Sequence, residues 1–284
     1  MNICNFIYLL SITLIGTFVG FFLALYANRK LKSNEDIKQK QSHLYYLKGV
    51  LEALIKYIPT QLKSYTEFSL QVRNAPLEFH KPEINATFDL LRFRNADNVE
   101  TQKAYFYFFR NDENQYTNYK ILFGQGDYLF LEFELMQSSI LKANENKLKD
   151  QNFIWEVVCE ISLLLGMRQV SLENTLGNDF QNNSEYKFID NLAIVYNNII
   201  QEFVVFQKVK DDFITPLFKN ILTQIKEKDL AQQLFKLARQ ADRKLKSIEK
   251  NELFFIKEIE QFCKKMEKPL QILKDESIKL NNIT

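Results

Sequence analysis

Two residues in the N-terminal half have the types and the spacing for acid–base chemistry on a phosphodiester. Arg73 is followed by an asparagine, and His80 comes after six intervening residues, in the segment RNAPLEFH. An imidazole with a pKa near neutrality can move protons, and a guanidinium can stabilise the negative charge of a phosphorane. The pattern therefore predicts a candidate catalytic pair, Arg73 and His80.

The same eight residues resemble the Arg-x(4–6)-His motif of the HEPN-type ribonucleases, which are helical proteins. The resemblance implies that Arg73 and His80 would act on the RNA phosphodiester. It provides one of two alternative functions, a membrane-tethered ribonuclease.

The composition favours the other alternative, a protein that is not an enzyme. The 284 residues include only two histidines and three cysteines, too few for the usual zinc sites or a disulfide framework. The phosphate-loop, dinucleotide-binding, serine-hydrolase and zinc-protease motifs are missing from the sequence. We therefore expect no metal and no cofactor.

A row of basic residues is the second candidate site. On a helix predicted from about 230 to 250, an apolar face is opposed by basic residues spaced three and four apart: Lys236, Arg239, Arg243, Lys246 and Lys250. We call these five residues the basic stripe. It could contact the phosphates of RNA or anionic lipid. Its other interpretation is an ordinary solvated helix face.

The elements that would position these residues begin with a membrane anchor. Residues 6–27 contain no charged side chain, and a helix of that length spans a hydrocarbon core of about 30 Å. A cleaved signal peptide would instead carry basic residues before a shorter apolar segment. Basic residues follow the span at Arg29, Lys30 and Lys32. The positive-inside rule then predicts a single-pass protein of the cell (inner) membrane, with its N-terminus outside and its bulk in the cytoplasm.

Small residues recur every fourth position in the predicted anchor, at Gly16, Gly20 and Ala24. This spacing lets two membrane helices approach closely, so it predicts a packing face for a homo-oligomer. The alternative is that small residues are simply common in membrane helices.

The remaining chain is predicted to be mainly α-helical, because glycine (7) and proline (5) are scarce. We expect an anchor at 1–30, a helical lobe at 31–172, a linker at 173–184 and a second helical lobe at 185–284. A helix is expected to end at Pro59, where another begins, and Asp150 is a candidate N-cap. The helix after Asp150 is predicted to bury an apolar face with helical spacing: Ile154, Val157, Val158, Ile161, Leu164 and Leu165. Helices are favoured at 104–136, although alternation at 131–135 also fits a small β-meander.

The anchor stretch and the charged helix after it resemble membrane-anchored helical proteins of prokaryotes, some of them accessories of antiviral defence. The resemblance implies an oligomerising sensor, scaffold or membrane effector. The expected partners are the lipid bilayer, further copies of the chain, and anionic lipid or RNA at the basic stripe. No protein partner is identified.

Overall fold

The computed structural model describes residues 3–83, 88–201 and 204–281, which are mainly helical and contain no strand. The predicted helical fold class is confirmed at this level. The α-helices are α1 (Ile3–Asn74), α2 (Phe88–Asn95), α3 (Val99–Phe108), α4 (Gln115–Leu176), α5 (Ser184–Gln201), α6 (Phe206–Lys208), α7 (Thr215–Gln224), α8 (Lys228–Lys265) and α9 (Glu267–Asn281). A 3₁₀ helix (Gly177–Asn182) follows α4, and a π-helix (Val209–Ile214) joins α6 to α7.

Helix α1 continues through Pro59, so the predicted helix end and helix start at this residue are wrong. Proline removes one backbone donor and crowds the preceding turn, which costs about 3 kcal/mol in a helix interior. The helix persists because the residues on either side of the proline are anchored in packed interiors. Ile58 and Tyr65, for example, are both fully buried.

The region 104–136 is helical, as favoured from the sequence, and the alternative β-meander is wrong. Phe130, Phe133 and Met136 are buried while Leu131 and Leu135 are exposed. The core face therefore follows the helical spacing of three, and the two-residue alternation is incidental. Gly126 is also required in α4, because a Cβ at this position would lie 2.2 Å from Cε1 of the buried Phe93 ring.

One further expectation about helix ends needs correction. Asp150 lies inside α4 and does not cap a helix; its carboxylate binds Lys244 Nζ at 2.8 Å. The predicted linker at 173–184 is largely helical, because α4 runs to Leu176 and the 3₁₀ helix continues to Asn182. Gly177 has a φ of 55° at this junction, a conformation that glycine adopts readily.

The chain forms two compact units, each built from segments that are distant in sequence. Unit 1 comprises residues 1–58, 86–130 and 268–284, and unit 2 comprises residues 59–85 and 131–267. These units are defined by spatial contacts, whereas the predicted lobes are consecutive stretches of chain. The division into lobes at 31–172 and 185–284 stays a prediction.

An aromatic cluster lies within unit 1. The Tyr105 ring stacks on Phe109 with centroids 4.4 Å apart and meets Tyr119 edge-on at 5.3 Å. The Tyr105 hydroxyl donates to Glu276 Oε2 at 3.2 Å, and the Tyr119 hydroxyl donates to Asp97 Oδ1 at 2.8 Å. Burial, followed by these carboxylates, raises the pKa of both tyrosines, so they serve as neutral hydrogen-bond donors.

The core of unit 2 is formed by the second half of α4, by α5, by α7 and by α8. Helix α4 contributes the face predicted from the sequence, with Ile154, Val157, Val158 and Ile161 all buried. Helix α8 contributes the predicted apolar face: Leu234, Ala238, Ala241, Leu245 and Ile248. Both predicted apolar faces are therefore confirmed.

Candidate functional site

A buried ion pair lies in unit 2, between Lys147 of α4 and Glu252 of α8. Lys147 Nζ lies 3.5 Å from Glu252 Oε1, and the two side chains are only 3% and 8% exposed. Lysine and glutamate rarely lie this deep unless they are paired. The pair connects α4 to α8, and both of its charges are buried.

Helical spacing explains how both charges come to be buried. Lys147 and Gln151 continue the buried α4 face between Ile140 and Ile154. Glu252 occupies the equivalent position in α8, one turn after Ile248. Each charge therefore replaces an apolar residue on a core-facing stripe. The sequence signal for this pair is a charged residue in register with an amphipathic face, and neither residue was among the predicted sites.

The environment moves the pKa values of the two groups toward each other. Burial lowers the pKa of Lys147, against the opposing attraction of Glu252 and Glu78. Burial also raises the pKa of Glu252, against the opposing effects of Lys147 and His80. An ammonium and a carboxyl perturbed in these directions can exchange a proton more easily than the same groups in water.

The loop at 75–83 is held next to this pair by polar contacts. The Gln151 amide donates to the Leu77 carbonyl at 2.6 Å in a buried hydrogen bond. Glu78 Oε1 accepts from the backbone N–H of Gln207 at 3.0 Å. His80 belongs to the same loop, so these contacts explain why it lowers the pKa of Glu252.

A cavity of about 320 Å³ adjoins the pair, at the lower limit for a small-molecule pocket. It is lined by turns of α4 and α8, with the buried Lys147, Glu252 and Phe255 beside exposed polar residues. The exposed polar lining consists of Ser139, Lys142, Asn146, Asn251 and Glu258. Hydroxyl, amide, ammonium and carboxylate groups together suit a small polar molecule better than an apolar one.

The predicted catalytic residues have other partners within unit 2. The Arg73 guanidinium donates to Glu260 Oε1 at 2.6 Å, and His80 Nε2 is hydrogen-bonded to the Ala75 carbonyl at 2.8 Å. Neither contact joins Arg73 to His80. A carboxylate bound to Arg73 also offsets the positive charge that phosphorane stabilisation requires. The ribonuclease site stays a prediction.

The basic stripe lies on one exposed side of α8. All five side chains are exposed: Lys236, Arg239, Arg243, Lys246 and Lys250. Lys246 binds Asp242 at 2.7 Å. For the other four, no carboxylate partner is present in the described part of the chain. Contact with phosphate or lipid stays a prediction.

The predicted anchor corresponds to the beginning of α1. No helix in the described part of the chain is long and apolar enough to cross a membrane. The predicted span, 6–27, begins among residues whose side chains lie outside the described part. Gly16, Gly20 and Ala24 are all exposed, and a Cβ at either glycine would have open space around it.

No protein-family model, curated protein or solved structure matches this chain. Within the described residues, histidine, cysteine, aspartate and glutamate side chains form no group of three that could hold a metal ion. The expectations of no metal and no cofactor stay predictions.

Proposed function

We propose that this chain is a single-pass membrane protein that oligomerises and acts as a non-enzymatic scaffold, sensor or membrane effector. Its helical body lies on the cytoplasmic side of the cell membrane. A role in prokaryotic antiviral defence belongs to the same proposal, through the architectural resemblance described above.

One observation carries the proposal: the described side chains at 14–27 are all exposed and uncharged. Nine of them are large and apolar and are 38–67% exposed: Leu14, Ile15, Phe18, Val19, Phe21, Phe22, Leu23, Leu25 and Tyr26. Water-soluble proteins rarely expose an apolar patch of this extent. In sequence, the uncharged stretch extends back to Phe6, which gives 22 residues or about 33 Å of helix. Lipid is the medium that such a surface fits.

Membrane insertion is tested on the full chain by alkaline extraction of membranes, with Phe18→Asp combined with Phe22→Asp as the disruptive variant. A carboxylate near the centre of a membrane helix costs about 3 kcal/mol, so the double variant should appear in the soluble fraction. The matched control is Leu141→Asp, which changes a residue of similar exposure in α4. Release of the unmodified chain by alkali would contradict the proposal.

Orientation is tested with a reporter that is active only in the cytoplasm, fused to the C-terminus of the full chain. Activity is expected, because the basic residues at 29–32 follow the anchor and should remain inside. A reporter that works only outside the cytoplasm provides the opposite comparison, and activity of that fusion would reverse the assignment.

Oligomerisation is tested by chemical crosslinking in membranes. Gly16→Leu combined with Gly20→Leu should reduce crosslinked species, because larger side chains keep two helix backbones apart. Gly49→Leu is the matched control, since Gly49 is an exposed glycine of α1 beyond the predicted span. Unchanged crosslinking in the double variant would refute assembly through this face.

A further inference from the structure

The basic stripe continues along α8 beyond the residues recognised from the sequence. Lys257 and Lys264 are also exposed and follow Lys250 by two and four turns of the same helix. All seven cations fall within about 80° of the helix circumference and extend over about 42 Å. We call this set, the basic stripe with Lys257 and Lys264, the basic face.

The charge of the basic face is nearly uncompensated. No acidic residue falls within its arc between Lys236 and Lys264, by helical position. Three acids along one edge already hold cations: Asp242 binds Lys246, Glu249 binds Lys210, and Glu260 binds Arg73. Along the other edge, the exposed Glu258 lies about 40° outside the arc. An ordinary solvated helix usually alternates its charges, so this arrangement favours an anionic partner.

Two exposed apolar side chains flank the basic face near the middle of its length. By helical position, Phe254 lies at one edge of the arc and Leu253 lies about 20° beyond the other edge, and they are 64% and 52% exposed. Cations beside exposed leucine and phenylalanine are typical of helices that lie in a membrane interface. A nucleic acid backbone offers phosphates, but it offers a leucine no apolar environment.

We propose that the basic face of α8 lies on the anionic surface of the membrane, with Leu253 and Phe254 inserted among the acyl chains. Lipid phosphates are the ligands of its lysines and arginines. The inference rests on the proposed function in one respect, because a cytoplasmic body would face the anionic leaflet. The α8 contact is a second attachment, separate from the anchor.

The contact is tested by fluorescence quenching with the full chain in vesicles that contain brominated lipid. Phe254→Trp places a reporter in the proposed contact, and Leu222→Trp is the control on an exposed site of α7. The natural Trp155 is measured in the unmodified chain and subtracted. In phosphatidylcholine–phosphatidylglycerol vesicles, bromine should quench the Phe254→Trp variant, while the control remains bright.

The dependence on charge is measured by combining Phe254→Trp with Arg239→Gln and Arg243→Gln. Each cation near an anionic surface contributes a factor of about five to partitioning, so docking should weaken about 25-fold. Pure phosphatidylcholine, or 1 M salt, should also reduce quenching, because salt shortens the screening length to about 3 Å. Circular dichroism verifies that the variants remain folded.

Equal quenching of the Phe254→Trp and Leu222→Trp variants in anionic vesicles would overturn the proposal. RNA binding that is lost with the two arginines, without quenching at position 254, would overturn it in favour of a nucleic acid partner. A different result is expected if the predicted anchor does not span the membrane but the α8 contact is real. Alkali would then release the chain, while quenching at position 254 would persist.

Discussion

The two sides of α8 use charged residues in opposite ways. On the inner side, Glu252 is 8% exposed and is held by a single lysine of α4. On the outer side, seven cations are exposed and only Lys246 has a carboxylate partner in the described chain. Lys147 and Glu252 must be paired, because a buried charge without a partner is strongly destabilising. Water solvates the outer charges and leaves them available for a ligand.

The largest predicted effect comes from breaking the inner pair. Glu252→Ala leaves the Lys147 ammonium buried without its partner, and we expect a loss of about 3–5 kcal/mol in the free energy of unfolding. Chemical denaturation measures this loss. Glu258→Ala, an exposed residue two turns along the same helix, should change stability by less than about 0.5 kcal/mol.

A double substitution sharpens the same test. Lys147→Met combined with Glu252→Leu replaces both charges with apolar side chains, which is often neutral or stabilising in buried pairs. Restored stability would show that the loss in Glu252→Ala reflects an orphaned charge. A double variant as unstable as the single one would show that packing around Glu252 is responsible.

The second prediction concerns pH. Lys147→Met removes the cation, so the Glu252 carboxylate becomes the uncompensated buried charge. Burial raises the pKa of Glu252 in the folded state, so protonated Glu252 favours folding at low pH, and this contribution is lost as pH rises through the folded-state pKa.

Denaturation at several pH values measures this dependence. Lys147→Met should therefore be less destabilising at pH 5 than at pH 8. Lys257→Met, which removes an exposed cation from the same unit, should show no such dependence. A constant difference between the unmodified chain and Lys147→Met would contradict the prediction.

His80 lies near the inner pair and should produce a smaller effect. His80→Ala removes the hydrogen bond to the Ala75 carbonyl, so we expect a loss of about 1 kcal/mol. We also expect no change in RNA hydrolysis, because Arg73 is bound to Glu260 and the two predicted catalytic residues have separate partners.

An RNA degradation assay with the purified full chain checks this expectation. The comparison uses the unmodified chain, His80→Ala and His43→Ala, the last being the other histidine of the sequence. RNA cleavage that His80→Ala abolishes, and His43→Ala leaves intact, would establish the ribonuclease alternative.

The smallest effect on stability is predicted for the outer side of α8. Arg239→Gln combined with Arg243→Gln should alter the free energy of unfolding by less than about 0.5 kcal/mol, because both side chains are exposed. Thermal and chemical denaturation measure this. A large loss would show that these arginines contribute to folding and would remove the contrast with Glu252.

Predictions from sequence succeeded where the deciding interactions repeat along one helix. The apolar face of α8 and the face at 154–165 followed from spacing, and both are buried as expected. Lys147 and Glu252 have the same spacing as the buried apolar residues. Charged side chains are normally solvated, so spacing alone did not predict that these two are buried. Their pairing joins positions that are 105 residues apart in sequence, a relationship that periodicity along one helix cannot reveal.

Local signals for helix ends were less successful. Proline typically breaks a helix and aspartate typically caps one, yet Pro59 and Asp150 both lie inside long helices. Buried neighbours hold α1 through the proline, and a lysine of α8 takes the carboxylate of Asp150. Tertiary packing outweighed a local preference of a few kcal/mol at most.

By itself, the sequence determined that the chain is helical, which faces of α8 are apolar and basic, and that an uncharged stretch precedes the helical body. Each of these properties depends on residue types and their periodicity. Only the tertiary structure decided that Lys147 and Glu252 share a buried site, that Arg73 binds Glu260, and that Lys246 alone among the seven cations of the basic face has a carboxylate partner in the described chain. Those outcomes depend on contacts between distant segments, because a charge is stabilised or left free by whatever residue folding places beside it.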